Sequence, residues 1–310
     1  MKLLAPAKIN LHLRVGRRRD DGFHPLLSWM CTIGLFDNLT IEPVQVDPLA
    51  GSDSVTLVCD VPDLAVDQTN LVVRTGAGFL AAARAGQNVP ATAGFHATLA
   101  KRIPMGAGLG GGSSDGARTL LGLNHHFRTG WSANVLSAFA ARFGSDMPFF
   151  IHGPSSICRG RGEQVLPIPP PRANWAVVLL PQIMMPTAAV YRRFDEMHLG
   201  NDADVDADLD WSAWSKLGAV DLLPMLINDL EAPAFAIEPR LAELRRSAQQ
   251  LIGRPVRMSG SGSSLFSLFD DPPEAETAAH QIFQHLGVRA LAVPLAPEIP
   301  DDLRDSIHIQ

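Results

Sequence analysis

The run Pro104-Met105-Gly106-Ala107-Gly108-Leu109-Gly110-Gly111-Gly112-Ser113-Ser114 constrains this chain more than any other stretch. Its glycines permit positive φ and let bare backbone N–H groups approach a ligand closely. An alternating apolar run, Phe95, Ala97 and Leu99, precedes it and predicts a strand that closes at Pro104. A helical stripe of Ala117, Leu120 and Leu121 follows, with Ser113 or Ser114 expected as N-cap. A glycine loop leading into a helix N-terminus makes an anion site suited to nucleotide phosphates. The bland alternative is a flexible linker, and the position between a strand and a capped helix argues against it. Two rival phosphate motifs fail. Gly106–Gly111 fits GxGxxG, but Pro104 breaks the strand-to-loop junction and no N-terminal βαβ unit surrounds it. No GxxxxGK[ST] occurs, which excludes a Walker P-loop.

At 310 residues the chain has room for two domains. Four of the five residues Pro167–Pro171 are proline, and the boundary is placed there. Residues 1–166 form the expected N-terminal domain, 172–295 the C-terminal domain and 296–310 a peripheral tail. Ile9, Leu11, Leu13 and Val15 alternate with Lys8, Asn10, His12 and Arg14, which predicts a half-buried strand with Lys8 and Asn10 on its polar face. Further strands are expected at Leu39–Val44, Val55–Cys59, Trp175–Leu180 and Val288–Val293, with strand, turn, strand over Arg257–Phe269. Helices are expected from Asn70 to about Arg84, over Val220–Leu226 and over Arg240–Ile252. Residues 195–210 are strongly acidic and read as an exposed connection.

A formal net charge of -6 argues against a general affinity for nucleic acid, so anionic ligands must be held by local N–H groups and a few placed cations. The cysteines, Cys31, Cys59 and Cys158, are far apart and odd in number, as expected of reduced cytoplasmic thiols. No signal segment or membrane span is expected.

Phosphoryl transfer to an alcohol needs a group that orients the hydroxyl and accepts its proton, and positive charge for the moving phosphoryl. Asp146, in the turn Gly144-Ser145-Asp146-Met147-Pro148, fits the first role and Lys8 the second. Spacing alone equally allows Asp146 as a helix cap and Lys8 as a solvated charge. Gly260-Ser261-Gly262 reads either as a second phosphate-approaching turn or as a plain hairpin turn. Asp202, Asp204, Asp206 and Asp208 lack the glycine and glutamate of a calcium loop, and His125-His126 reads as helix surface.

In order along the chain, Ala5–Leu11, Pro104–Ser114, Gly144–Pro148 and Met258–Ser264 resemble the GHMP kinases, and the likeness runs from about residue 4 to about residue 270. It extends to Asp21–His24, Phe36-Asp37, Gly160–Glu163 and Asn228–Glu231. The resemblance implies an α+β fold of two domains, the N-terminal one ribosomal-S5-domain-2-like and the C-terminal one ferredoxin-like, with the site between them. It implies an ATP-dependent small-molecule kinase in which Pro104–Ser114 wraps the ATP phosphates, Ser114 lies near the metal-bound end, and Mg²⁺ accompanies ATP through unknown protein ligands. By matching position Asp146 is the expected catalytic aspartate and Lys8 its basic partner. Asp21–His24 points within the family to an acceptor carrying a cytidine diphosphate group, phosphorylated on a polyol hydroxyl. Asn10, His24, Thr187, Gly260, Ser261 and Gly262 are its implied contacts, with Phe23 and Tyr191 sandwiching the base; stacking of this kind contributes about 1–3 kcal/mol per base. Phe23 departs from the usual tyrosine. The expected assembly is a monomer or homodimer. The rivals are a homoserine or mevalonate kinase of the same family, a non-catalytic nucleotide-binding relative and, more distantly, a dehydrogenase.

Overall fold

The computed structural model describes residues 1–47 and 54–303. The polar–apolar alternation near the N-terminus forms strand β1 (Lys2–Val15), which pairs antiparallel with a long β2 (Leu26–Gln45). The strand expected at Leu39–Val44 is thus only the far half of β2. That half pairs with β4 (Ala93–Ala100), which also carries parallel β3 (Val55–Cys59). The near half of β2 pairs with β5 (Ser155–Arg159), and β5 with β6 (Gln164–Pro167). Helices α1 (Leu71–Ala85), α2 (Gly111–Phe127), α3 (Ala133–Ala140) and α4 (Met147–His152) belong to this half. Their apolar sides share one core with Leu39, Ile41, Phe95 and Leu99 of the sheet.

The second sheet has the order β10–β7–β9–β8, built from β7 (Trp175–Leu180), β8 (Arg257–Met258), β9 (Leu265–Phe269) and β10 (Arg289–Pro294), every pair antiparallel. With α10 (Pro239–Ile252) and α11 (Pro272–Leu286) as crossovers this is a ferredoxin-like arrangement. Between β7 and α10 run α5 (Thr187–Glu196), the short α6 (Asp202–Val205), α7 (Trp211–Trp214) and α8 (Ala219–Leu222), and α9 (Glu231–Ile237). The fully apolar β7 is explained by burial on both faces. Val177 and Leu179 join the helices, while Ala176, Val178 and Leu180 pack with Ile9, Leu11 and Trp29 of the first sheet. The two halves therefore share a core, and β1 runs through the junction.

Several sequence expectations are corrected. The polar face of β1 is not solvated: Lys8, Asn10 and His12 are each 3% exposed, because the second half covers that face. A bulge between Asn10 and His12 interrupts the alternation. His12 then packs edge-on against Trp211 and Trp214, with centroids 5.8 and 5.4 Å away, rather than lining up with Lys8. The helix expected over Val220–Leu226 ends at Leu222 and tightens into a 3₁₀ turn at Leu223–Met225, where Pro224 stands. The acidic stretch is no mere connection. Asp204 pairs with Arg14, and Asp202 accepts the Arg17 backbone N–H at 2.9 Å. Residues 296–303 are likewise packed: Asp301 pairs with the buried Arg118 and accepts the Leu4 N–H, and Leu303 is buried in the first core. The rest of the expected tail, 304–310, lies outside the described residues.

Candidate active site

The glycine segment leaves β4 and enters α2, as its pattern predicts, but neither serine caps the helix. Gly110 does so in the left-handed region, with φ +71°, and the helix starts at Gly111. Ser113 and Ser114 consequently stand inside the first turn. The N–H groups of Gly111, Gly112 and Ser113 begin the helix with no intrahelical acceptor, and they carry the positive end of its dipole. No acidic side chain occupies that turn.

A second small-residue turn, after β8, locks onto this loop. Ser259 Oγ donates to the Gly108 carbonyl at 3.0 Å, and the Ser264 N–H donates to the Ala107 carbonyl at 3.1 Å. On the other side, the Lys8 N–H of β1 donates to the Leu109 carbonyl at 2.9 Å. The Asn228–Glu231 motif is the scaffold behind the second turn. Asn228 Nδ2 donates to the carbonyls of Met258 and Gly260 at 2.7 and 2.8 Å, and Glu231 Oε1 accepts the Met258 N–H at 2.9 Å. Gly260 and Ser261 lie beside the glycine loop, and Ser261 Oγ meets Thr187 Oγ1 at 2.9 Å.

These elements enclose a cavity of about 500 Å³. Lys8, Asn10, residues 104–113, Asp146, Thr187, Tyr191, Gly260 and Ser261 all line it. Lys8 Nζ lies 3.6 Å from Asp146 Oδ2 and donates to Asn10 Oδ1. Asn10 Nδ2 in turn donates to Ser28 Oγ at 2.9 Å, so the pair is held from β2. Asp146 stands at the N-cap position of α4 but makes no side-chain capping bond, which removes the plain structural role for its carboxylate. A carboxylate beside an amine on the wall of a cavity is able to orient an alcohol and take its proton.

The lining also carries an aromatic side chain, Tyr191. Tyr191 on α5 lies 5.2 Å from the buried His24 ring, tilted by 39°. Burial first, and the charge of Asp146 second, raise the Tyr191 hydroxyl above its ordinary pKa, so it stays a neutral phenol. His24 Nδ1 donates to the Gly16 carbonyl at 2.9 Å and Nε2 faces Asp195 Oδ1 at 3.2 Å. Phe23 is 47% exposed, and the Arg161 guanidinium lies over its ring at 4.8 Å. Phe23, His24, Ser114 and Gly262 stand behind or beside the cavity rather than on its lining.

Sequence reasoning missed part of the lining. Leu64, Thr69, Asn70 and Leu71 form a wall at the start of α1, where Asn70 is the N-cap. Lys101 and Asp115 face the glycine loop from beneath. Lys101 Nζ bonds Asp115 Oδ2 at 2.8 Å and also Asp37, which accepts the Ile103 N–H at 2.9 Å and so fixes the loop's entry. Burial, and then the neighbouring Asp37, push the Asp115 carboxyl up against the opposing pull of Lys101. The one signal for this triad was the match at Phe36-Asp37, to which no role was attached.

Residues 70–154 match the model of the GHMP kinases N-terminal domain and residues 209–288 that of the GHMP kinases C-terminal domain. The chain belongs to the GHMP kinases, ATP-dependent small-molecule kinases. It is 37% identical over 309 residues to the 4-diphosphocytidyl-2-C-methyl-D-erythritol kinase of Synechococcus sp. (strain CC9902), covering 95% of this chain and 97% of that one. A crystal structure of 4-(cytidine 5'-diphospho)-2C-methyl-D-erythritol kinase superposes with a TM-score of 0.74 at 36% identity, covering 96% of this chain and 100% of that one. Homoserine kinase from Cytophaga hutchinsonii, at 16% identity and TM-score 0.68 over 96% of this chain and 95% of that one, shares the fold alone.

Proposed function

We propose that this chain transfers the γ-phosphoryl group of ATP to the 2-hydroxyl of 4-diphosphocytidyl-2-C-methyl-D-erythritol, a step of the methylerythritol phosphate route to isoprenoids. The observation that carries the reading is the pairing of Lys8 with Asp146 at 3.6 Å in a cavity lined by both the glycine loop and Tyr191. ATP phosphates lie on the N–H groups of residues 111–113, and the cytosine base lies toward Tyr191, His24 and Phe23. The acceptor hydroxyl reaches Asp146, which orients it and takes its proton as the O–P bond forms. Lys8 offsets charge on the moving phosphoryl, and Asn10 keeps Lys8 aimed. Positioning of two bound substrates supplies most of the acceleration.

The residues present fit Mg²⁺ in one respect. Ser114 Oγ is buried at the start of α2 with no hydrogen-bond partner, as is Asp115 Oδ1. No cluster of three or more His, Cys, Asp or Glu exists among the described residues, so phosphate oxygens would supply most ligands and Asp115, which lines the cavity, would offer the protein oxygen, with Ser114 behind it. Bound there, the ion would neutralise triphosphate charge. A cytoplasmic location goes with this reading, and the three free thiols agree with it.

The test is ADP release from MgATP with and without the acceptor, for wild type and Asp146→Asn. Acceptor-dependent turnover that falls about 10²–10⁴-fold in the variant, with ATP binding retained, is expected. Turnover on homoserine or mevalonate instead sinks the substrate assignment, and ATP binding with no turnover favours a non-catalytic relative.

A further inference from the structure

We propose that Arg161 is a positioning residue that grips the diphosphate of the acceptor and thereby sets where its hydroxyl falls; this rests on the function proposed above. The acceptor carries its base at one end and its reacting hydroxyl at the other, so its diphosphate must cross the space between the aromatic end and Asp146. Arg161 sits in the turn between β5 and β6, beside the cavity rather than on its lining, and the turn has a neighbour toward each of those ends. Toward the aromatic end its guanidinium carbon lies 4.8 Å from the Phe23 centroid, and the Leu26 N–H, two residues beyond His24, donates to the Gly160 carbonyl at 2.8 Å. Toward the reacting end the adjacent Gly162 touches the catalytic turn. A Cβ there would stand 3.2 Å from the Ser145 carbonyl oxygen and 3.7 Å from Asp146 Oδ1.

Three neighbouring cations are already engaged. Arg19 pairs with Asp21 at 2.6 Å, Arg18 Nε donates to the Gly22 carbonyl at 3.2 Å, and Lys8 pairs with Asn10 and Asp146. Arg161 is held more loosely. Its Nε is 3.9 Å from Glu163 Oε2, and that oxygen already accepts the Arg161 backbone N–H at 2.6 Å. The guanidinium therefore keeps donors for an anion, while its cation–π contact with Phe23 restrains it. A planar fork held in place suits paired phosphate oxygens better than an ammonium does. The contact also gives Phe23 a second role, as the platform for the cation.

The experiment is steady-state kinetics of the full chain, wild type against Arg161→Met and Arg161→Lys, with cytidine and CDP as competitive inhibitors toward the acceptor. Arg161→Met is expected to raise the acceptor KM by about ten- to a hundredfold, the range of a lost charge-assisted hydrogen bond. The KM for ATP should stay in place, CDP should lose its advantage over cytidine, and Arg161→Lys should fall between the two. If cytidine and CDP weaken by the same factor, Arg161 acts only through Phe23 and the proposal is overturned. An unchanged or lowered acceptor KM overturns it as well. Wild type inactive on this acceptor but active on another sinks the underlying function, and the Arg161 assignment with it, before any variant is read.

Discussion

Alanine at Gly108 tests whether contact between the two small-residue turns, rather than glycine flexibility alone, builds the phosphate cradle. Gly106 and Gly108 both have positive φ, +64° and +76°. Alanine at either position meets the left-handed penalty of about 1–2 kcal/mol. Their surroundings differ. A Cβ at Gly106 would meet nothing within 4 Å, whereas one at Gly108 would overlap the Ser259 carbonyl oxygen and press on Gly262 O and N at 3.1 and 3.2 Å. The obstruction is backbone and cannot rotate away. The turns must part, straining the bonds from Ser259 Oγ to Gly108 and from Ser264 N to Ala107, each contributing about 0.5–1.5 kcal/mol. Gly106→Ala should therefore lose about 1–2 kcal/mol and Gly108→Ala about 2–5 kcal/mol. The assay is urea unfolding without nucleotide, so that crowding of a bound phosphate does not enter. A cradle displaced by about 1 Å should also cost Gly108→Ala on the order of a hundredfold in kcat. Equal destabilisation of the two variants would refute the argument.

Asn228→Ala removes the donors to the Met258 and Gly260 carbonyls and the acceptor for the Leu230 N–H, and should destabilise by about 3 kcal/mol; a loss under about 1 kcal/mol in urea unfolding would show that the motif is not the scaffold. His12 supplies a pH test. Burial, and then the charges of Arg14 and Arg257, lower its pKa to about 4 from 6.5. The unfolded chain takes a proton first, so this stability is full above about pH 6.5 and is lost as pH falls towards 4. A shift of that size is worth about 3 kcal/mol, and His12→Asn should flatten the decline in unfolding free energy between pH 7 and 4.5. Parallel curves for variant and wild type would place the acid sensitivity elsewhere.

The glycine segment, the alternating β1 and the apolar β7 were legible in the sequence because each reflects local geometry: φ freedom, a period of two, and burial on both faces. The same local logic located Lys8, Asn10 and Asp146 and left their roles open, since a lysine on a strand and an aspartate before a helix also occur as surface charge and cap. Tertiary packing speaks against both of those plain readings. The second half covers the polar face of β1, while the fold of the first half itself places Lys8 Nζ 3.6 Å from Asp146 and leaves the Asp146 carboxylate without a capping bond. Periodicity failed where tertiary forces override it, as at the bulge that turns His12 into the tryptophans, and at Gly110, which takes the capping place predicted for a serine. Lys101, Asp37, Asp115 and the acidic residues paired with Arg14 and Arg17 were beyond sequence reasoning for one physical reason. Charge pairing depends on distance in space, and these partners meet across separations that the chain's local pattern does not encode.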